Sequence, residues 1–122
     1  MKKVKLLLDL EPEVRIFLKK ENKIVMGRGT YLLLKEIQKH GNIMDACRAL
    51  GMSYKKAMKL IKRVEDLINE EIIESKRGGA AHGFSKLTDV GLLLIKIYEK
   101  VENIIENSLK ELELSQDTST NN

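Results

Sequence analysis

The chain is poor in the residues that build stapled, metal-clustered or membrane-spanning proteins. It has one cysteine, Cys47, which excludes an intramolecular disulfide framework and any cysteine-rich zinc site. It has one proline, Pro12, so residues 13–122 carry no proline break, which favours helices. Tryptophan is absent. The longest apolar runs, such as Gly91-Leu92-Leu93-Leu94-Ile95, fall far short of the roughly 20 residues a membrane span needs, so no membrane association is expected. The start, Met1-Lys2-Lys3-Val4-Lys5-Leu6-Leu7-Leu8-Asp9, is basic, but its apolar run is too short for a signal peptide. The expected compartment is the cytoplasm.

What is present suits one small helical domain. The 122 residues include 22 Lys plus Arg and 18 Asp plus Glu, a formal charge of +4. That excess is too mild to name a partner, so its distribution along the chain must decide. Residues 14–18 and 23–26 carry β-branched and aromatic side chains around a polar turn, which predicts a β-hairpin. Helices are expected over 30–40, 43–50 and 54–68, punctuated by Gly41 and Gly51 as left-handed stops and by Asn42 and Ser53 as caps. In the third, Ala57, Leu60, Ile61, Val64, Leu67 and Ile68 form one apolar face. Short strands are expected at 71–75 and 83–87, and Thr88 caps a long helix ending near Leu112. Residues 1–114 then form the domain, and the polar residues 115–122 form a disordered tail.

The fold class that follows is mainly α with a small β component: a winged helix-turn-helix with an N-terminal β-hairpin and a long C-terminal helix. Two short helices about a glycine turn, then a longer helix, are the parts of a helix-turn-helix, whose second helix buries one face and offers the other to DNA. From 53 to 63 there are five basic residues, Lys55, Lys56, Lys59, Lys62 and Arg63, and no acid. At about 100° per residue, Lys55, Lys59 and Lys62 lie opposite the apolar stripe. Ser53 and Tyr54 stand at the helix start, where free N–H groups meet phosphate. A second basic cluster, Lys76, Arg77, His82 and Lys86, flanks Gly78, Gly79 and Gly83 with no acid from 75 to 88, which suits a wing. A lysine-rich helix face is by itself usually a solvated one; the short helix and glycine turn before it, and the glycine-rich hairpin after it, favour DNA.

The run Gly41-Asn42-Ile43, then Ala46, then Ala49-Leu50-Gly51-Met52-Ser53-Tyr54-Lys55-Lys56-Ala57, with Leu87-Thr88-Asp89-Val90-Gly91 opening the last helix, resembles the DNA-binding domain of the molybdate-responsive regulator ModE family. The likeness covers roughly residues 14–105, and the LysR-type DNA-binding domain is similar more loosely. The resemblance implies a transcriptional regulator. Met58 stands where the pattern often has Trp, and the Gly-Gly-Ala-Ala-His-Gly wing departs from a longer glycine run. ModE proteins that sense molybdate carry oxyanion-binding domains after this one. Only residues 108–122 follow here, so no molybdate binding is expected.

An enzyme is not expected, nor a cofactor or metal. Gly27-Arg28-Gly29 fails the dinucleotide fingerprint because residue 32 is Leu, and no nucleophile has a base at motif spacing. Homodimerisation is expected through the last helix, where Leu94, Ile97, Tyr98, Val101, Ile104, Ile105, Leu109 and Leu112 line one side. The competing expectation is a winged-helix protein-interaction module without DNA binding.

Overall fold

The computed structural model describes residues 8–77 and 83–120. The order is β1 (Leu18–Lys20), β2 (Lys23–Met26), α1 (Arg28–His40), α2 (Ile43–Leu50), α3 (Tyr54–Ile68), β3 (Ile73–Arg77), β4 (Gly83–Leu87) and α4 (Asp89–Thr120). The architecture is mainly helical, with two separate two-stranded antiparallel sheets, β1–β2 and β3–β4.

Local chemistry accounts for most boundaries. Glu21 and Asn22 both adopt positive φ, at 50° and 68°, the backbone of a two-residue hairpin turn matched to strand twist. The first strand covers Leu18–Lys20 and not the expected 14–18, and its pairing slips between Leu18 and Lys19, so the ladder is regular only from Lys19. Helix α1 begins at Arg28, two residues earlier than expected, because the Gly27 carbonyl already accepts from the Tyr31 amide at 3.1 Å. It ends at Gly41, which takes φ 69° and returns its N–H to the Ile37 carbonyl. Helices α2 and α3 keep their expected bounds, capped by the Asn42 and Ser53 side chains.

Strand β3 lies two residues later than expected, since Glu71 and Ile72 are spent on a junction. The Ile72 amide donates to Glu65 Oε2 on α3 at 2.9 Å. Thr88 donates its hydroxyl to the Glu71 carbonyl at 2.7 Å and its amide to the Ile72 carbonyl at 3.0 Å. The Gly91 amide in turn donates to Thr88 Oγ1 at 3.2 Å. The Leu-Thr-x-x-Gly motif is therefore a knot joining α3, β3 and α4. Gly91 is required there, since a Cβ would lie 2.5 Å from the Ile72 carbonyl oxygen.

The core gathers around α1, whose Leu33, Leu34 and Ile37 are fully buried, with Ala46 and Cys47 from α2, Ala57, Ile61 and Val64 from α3, Met26, Ile72 and, from α4, Ile95 and Tyr98. Leu60, Leu67 and Ile68, expected on the core face, are half-buried at its edge. Tyr31 and Tyr98 stack with centroids 4.4 Å apart. Beside them Tyr31 donates its hydroxyl to Glu99 Oε2 at 2.5 Å, and Lys35 Nζ lies 3.3 Å from the same oxygen. That hydrogen bond holds the Glu99 carboxyl below its ordinary range, while burial pushes the Tyr31 phenol up. Helix α4 continues eight residues past Leu112, to Thr120, through the segment expected as a disordered tail; no Gly or Pro follows Gly91 to break its ladder.

Gly91→Ala forces the Ile72 carbonyl away and is expected to destabilise the fold by about 2 kcal/mol or more. Gly29→Ala, with open space around its Cβ, is expected to stabilise α1 by about 0.4–1 kcal/mol. Urea denaturation of the two variants against the parent measures both.

Candidate nucleic-acid interface

Helix α3 is amphipathic in the manner its sequence predicts. With Ala57, Ile61 and Val64 sealed inward, the side chains of Lys55, Lys56, Lys59, Lys62 and Arg63 are all exposed. Lys55, Lys59 and Lys62 follow i, i+4, i+7 along the side facing away from the core. Every one of these ammonium groups sits on a flexible stem in water.

Two expected contact groups have work inside the protomer. Ser53 Oγ accepts from the Lys56 amide at 3.1 Å, so the hydroxyl is the helix cap and keeps only its own proton to offer outward. Arg63 donates through Nε to the Ile24 carbonyl of β2 at 2.8 Å. On the same flank Lys20 donates to the Leu67 carbonyl at 3.1 Å, placing a cation at the negative end of the α3 dipole. Together these two bonds fasten the β1–β2 hairpin along α3. Nothing local in the sequence connects Lys20 to residue 67, so its role emerges only from the fold.

In the second sheet Lys76 and Lys86 are exposed. Lys86 lies 3.8 Å from Glu74, its cross-strand partner, a surface pair of little energetic weight. Arg77 closes β3 opposite Gly83. Gly78, Gly79 and His82 lie outside the described residues.

Asn42 does more than its expected capping. Its Oδ1 accepts from the Asp45 amide at 3.0 Å, while its Nδ2 donates to the Gly83 carbonyl at 2.6 Å. The Ser85 amide donates to the Gly41 carbonyl at 2.9 Å, and the Ser85 hydroxyl, buried, meets that of Ser75 at 3.0 Å. The start of β4 is thereby bolted to the start of α2. The second sheet, which carries Lys76 and Lys86, is thus joined directly to the helix that precedes α3. Capping signals are readable in sequence; the second donor bond, 41 residues away, is not.

The apolar residues expected to line a dimer interface divide. Tyr98 is 1% exposed and sits in the protomer's own core, against Tyr31. Leu94, Val101 and Ile105 are half-buried against that core, and Leu109 is buried. Ile97, Ile104 and Leu112 are exposed, together with Leu93. Cys47 is buried and burial pushes its thiol up, which leaves it inert. Among the described residues no group of three or more His, Cys, Asp or Glu side chains could hold a metal ion, and no helix is long and apolar enough to cross a membrane.

No protein-family model matches the chain. Curated proteins do. It is 32% identical over 88 residues to the molybdenum-pterin-binding protein MopA of Rhodobacter capsulatus, covering 72% of this chain and 33% of that protein. It is 29% identical over 103 residues to the transcriptional regulator ModE of Yersinia pestis, and 28% identical over 103 residues to the DNA-binding transcriptional dual regulator ModE of Escherichia coli K12, in each case covering 84% of this chain and 39% of the relative. Its homologues are ModE and MopA proteins. The chain spans between a third and two fifths of the length of these three relatives. They are named as regulators and molybdenum-binding proteins, not as enzymes.

Asn42→Ala removes the cap and the bond to Gly83 together and is expected to cost about 1–2 kcal/mol. Asn42→Asp keeps the cap acceptor and loses the amide donor. It is expected to regain most of that stability while the Ser85 amide, next to the broken joint, exchanges its hydrogen faster than in the parent. Denaturation and amide exchange separate the two roles.

Proposed function

We propose that the chain is a sequence-specific double-stranded DNA-binding transcriptional regulator acting as a homodimer, with α2 and α3 as a helix-turn-helix and β3–β4 as its wing. The observation that carries this reading is the exposed row Lys55, Lys59 and Lys62 on a helix with no acid among residues 53–63. A helix so charged fits the roughly 12 Å major groove, where its stems track phosphates on both walls. Lys56 and Arg63 flank the row. Lys76 and Lys86 extend the positive surface onto the second sheet, and Arg77, Gly78, Gly79 and His82 stay in the proposed contact set on sequence grounds. The acids Glu65 and Asp66 follow only in the last turns of α3, where the helix leaves the groove. The names of the ModE relatives support the same reading. The molybdenum in the MopA name is not carried over to this chain.

Dimerisation is assigned to α4. Its inward side serves the protomer's own core, while Leu93, Ile97 and Ile104, at 54%, 41% and 57% exposure, form a second apolar strip with Leu112 near its end. Left in water, that strip forfeits about 25 cal/mol for each Å² it could bury. A two-fold axis along it covers both copies at once and sets two α3 helices about one DNA turn, roughly 34–36 Å, or a multiple of it apart. Half-buried Leu94, Val101 and Ile105 border the strip.

Binding to duplex DNA is expected to weaken steeply with salt. Six to ten neutralised phosphates per dimer, an order-of-magnitude figure, give a log–log slope of about −5 to −9. Lys55→Ala/Lys59→Ala is expected to leave stability within about 0.5 kcal/mol, to weaken binding and to flatten that slope. Fluorescence anisotropy between low and moderate salt measures it, and affinity indifferent to salt, or no binding to duplex at low salt, points instead to a protein-interaction module.

Light scattering is expected to find a dimer at tens of micromolar and a monomer for Ile97→Glu/Ile104→Glu. A variant that stays dimeric removes this strip from the interface.

A further inference from the structure

Two apolar side chains flank the basic arc of α3. Tyr54 and Met58, one turn apart at i, i+4, are 48% and 36% exposed. Neither belongs to the buried core. Lys55, Lys59 and Lys62 run beside them, and at about 100° per residue Met58 falls between Tyr54 and Lys62 around the helix. Both occupy the first two turns, the end of a recognition helix that meets base edges.

A lysine ammonium suits a phosphate or a guanine edge. A thioether, only a weak hydrogen-bond acceptor, gains little from the polar groups there. The one apolar group that a base edge presents in the major groove is the C5-methyl of thymine. Methionine, unbranched and polarizable, moulds to such a methyl, and a tyrosine ring covers one while its hydroxyl reaches the neighbouring backbone. The stems of the flanking lysines close the apolar contact from water. From this placement we propose that Tyr54 and Met58 are specificity-determining residues that pack on thymine methyl groups, so that each half-site carries A·T pairs beneath the first two turns of α3. The inference rests on the DNA-binding reading above and supplies its base chemistry.

The test compares the full chain on two 24-base-pair duplexes, one of alternating A and T, the other with uracil in place of every thymine. They differ only in the methyl groups. The thymine duplex is expected to bind more tightly by about fourfold for each methyl contacted, the ~0.8 kcal/mol of one buried methyl-sized group at 1.4 kcal/mol per tenfold. In Met58→Ala, in Met58→Gln and in Tyr54→Ala that preference falls towards one, with circular dichroism verifying the fold. Tyr54→Phe keeps it. Lys59→Ala weakens both duplexes by the same factor and also keeps it. Equal binding of the two duplexes by the parent chain, or a preference that survives in Tyr54→Ala/Met58→Ala, overturns the assignment while leaving DNA binding standing. Failure to bind either duplex at low salt overturns both.

Discussion

Enclosure of α1 is the constraint on which the other elements depend. Leu33, Leu34 and Ile37 are fully buried, and Tyr31 is buried beneath the Tyr98 ring. With a core this small, each remaining element must contribute one face to that enclosure: α2 through Ala46 and Cys47, α3 through Ala57, Ile61 and Val64, β2 through Val25 and Met26, and α4 through Ile95 and Tyr98. Burial of one side of α3 is what turns its lysines outward. The charged arc is therefore a consequence of packing, since a helix holding Ala57 and Val64 inside has no other place to put Lys55, Lys59 and Lys62.

Polar bonds then convert a packed core into a rigid frame. The knot of Glu65, Ile72, Thr88 and Gly91 sets the departure of β3 and the entry of α4 within one turn of each other. Asn42 and Gly41 lock β4 against the start of α2. Arg63 and Lys20 lock the first hairpin along α3. Each of these is a side chain or backbone group satisfying a donor or acceptor left over at an element's end, which is where helices and short strands have groups to spare. The second sheet and the start of α2 are thereby held in fixed relation.

Periodicity makes α2, α3 and the outward lysines legible in the amino-acid sequence, because the 3.6-residue repeat separates one helix face from the other. Gly41, Asn42, Gly51 and Ser53 mark the ends by known capping chemistry. The strand expected at 71–75 is displaced to Ile73–Arg77, since the junction with Thr88 claims residues 71 and 72 through a partner up to 17 positions away. On α4 the apolar residues read as one side of the helix in sequence resolve into two stripes in the structure, and at about 100° per residue Tyr98 and Ile104 already lie about 120° apart. Which of the two stripes meets α1, that of Tyr98 or that of Ile104, is a property of docking.

Local grammar is written in the chain itself: helical segments, caps, the turn at Glu21-Asn22, the basic composition of α3 and the spacing of the Leu-Thr-x-x-Gly motif. These depend on residues within about a turn of one another. Docking of the elements settles the rest: which side chains of α4 stay exposed, that Arg63 is bonded to β2, that Asn42 holds two elements at once, and why Gly91 admits no Cβ. Those outcomes are set by distances between residues 17 to 68 positions apart, and such distances exist only after burial of apolar surface has chosen one arrangement of the helices around α1.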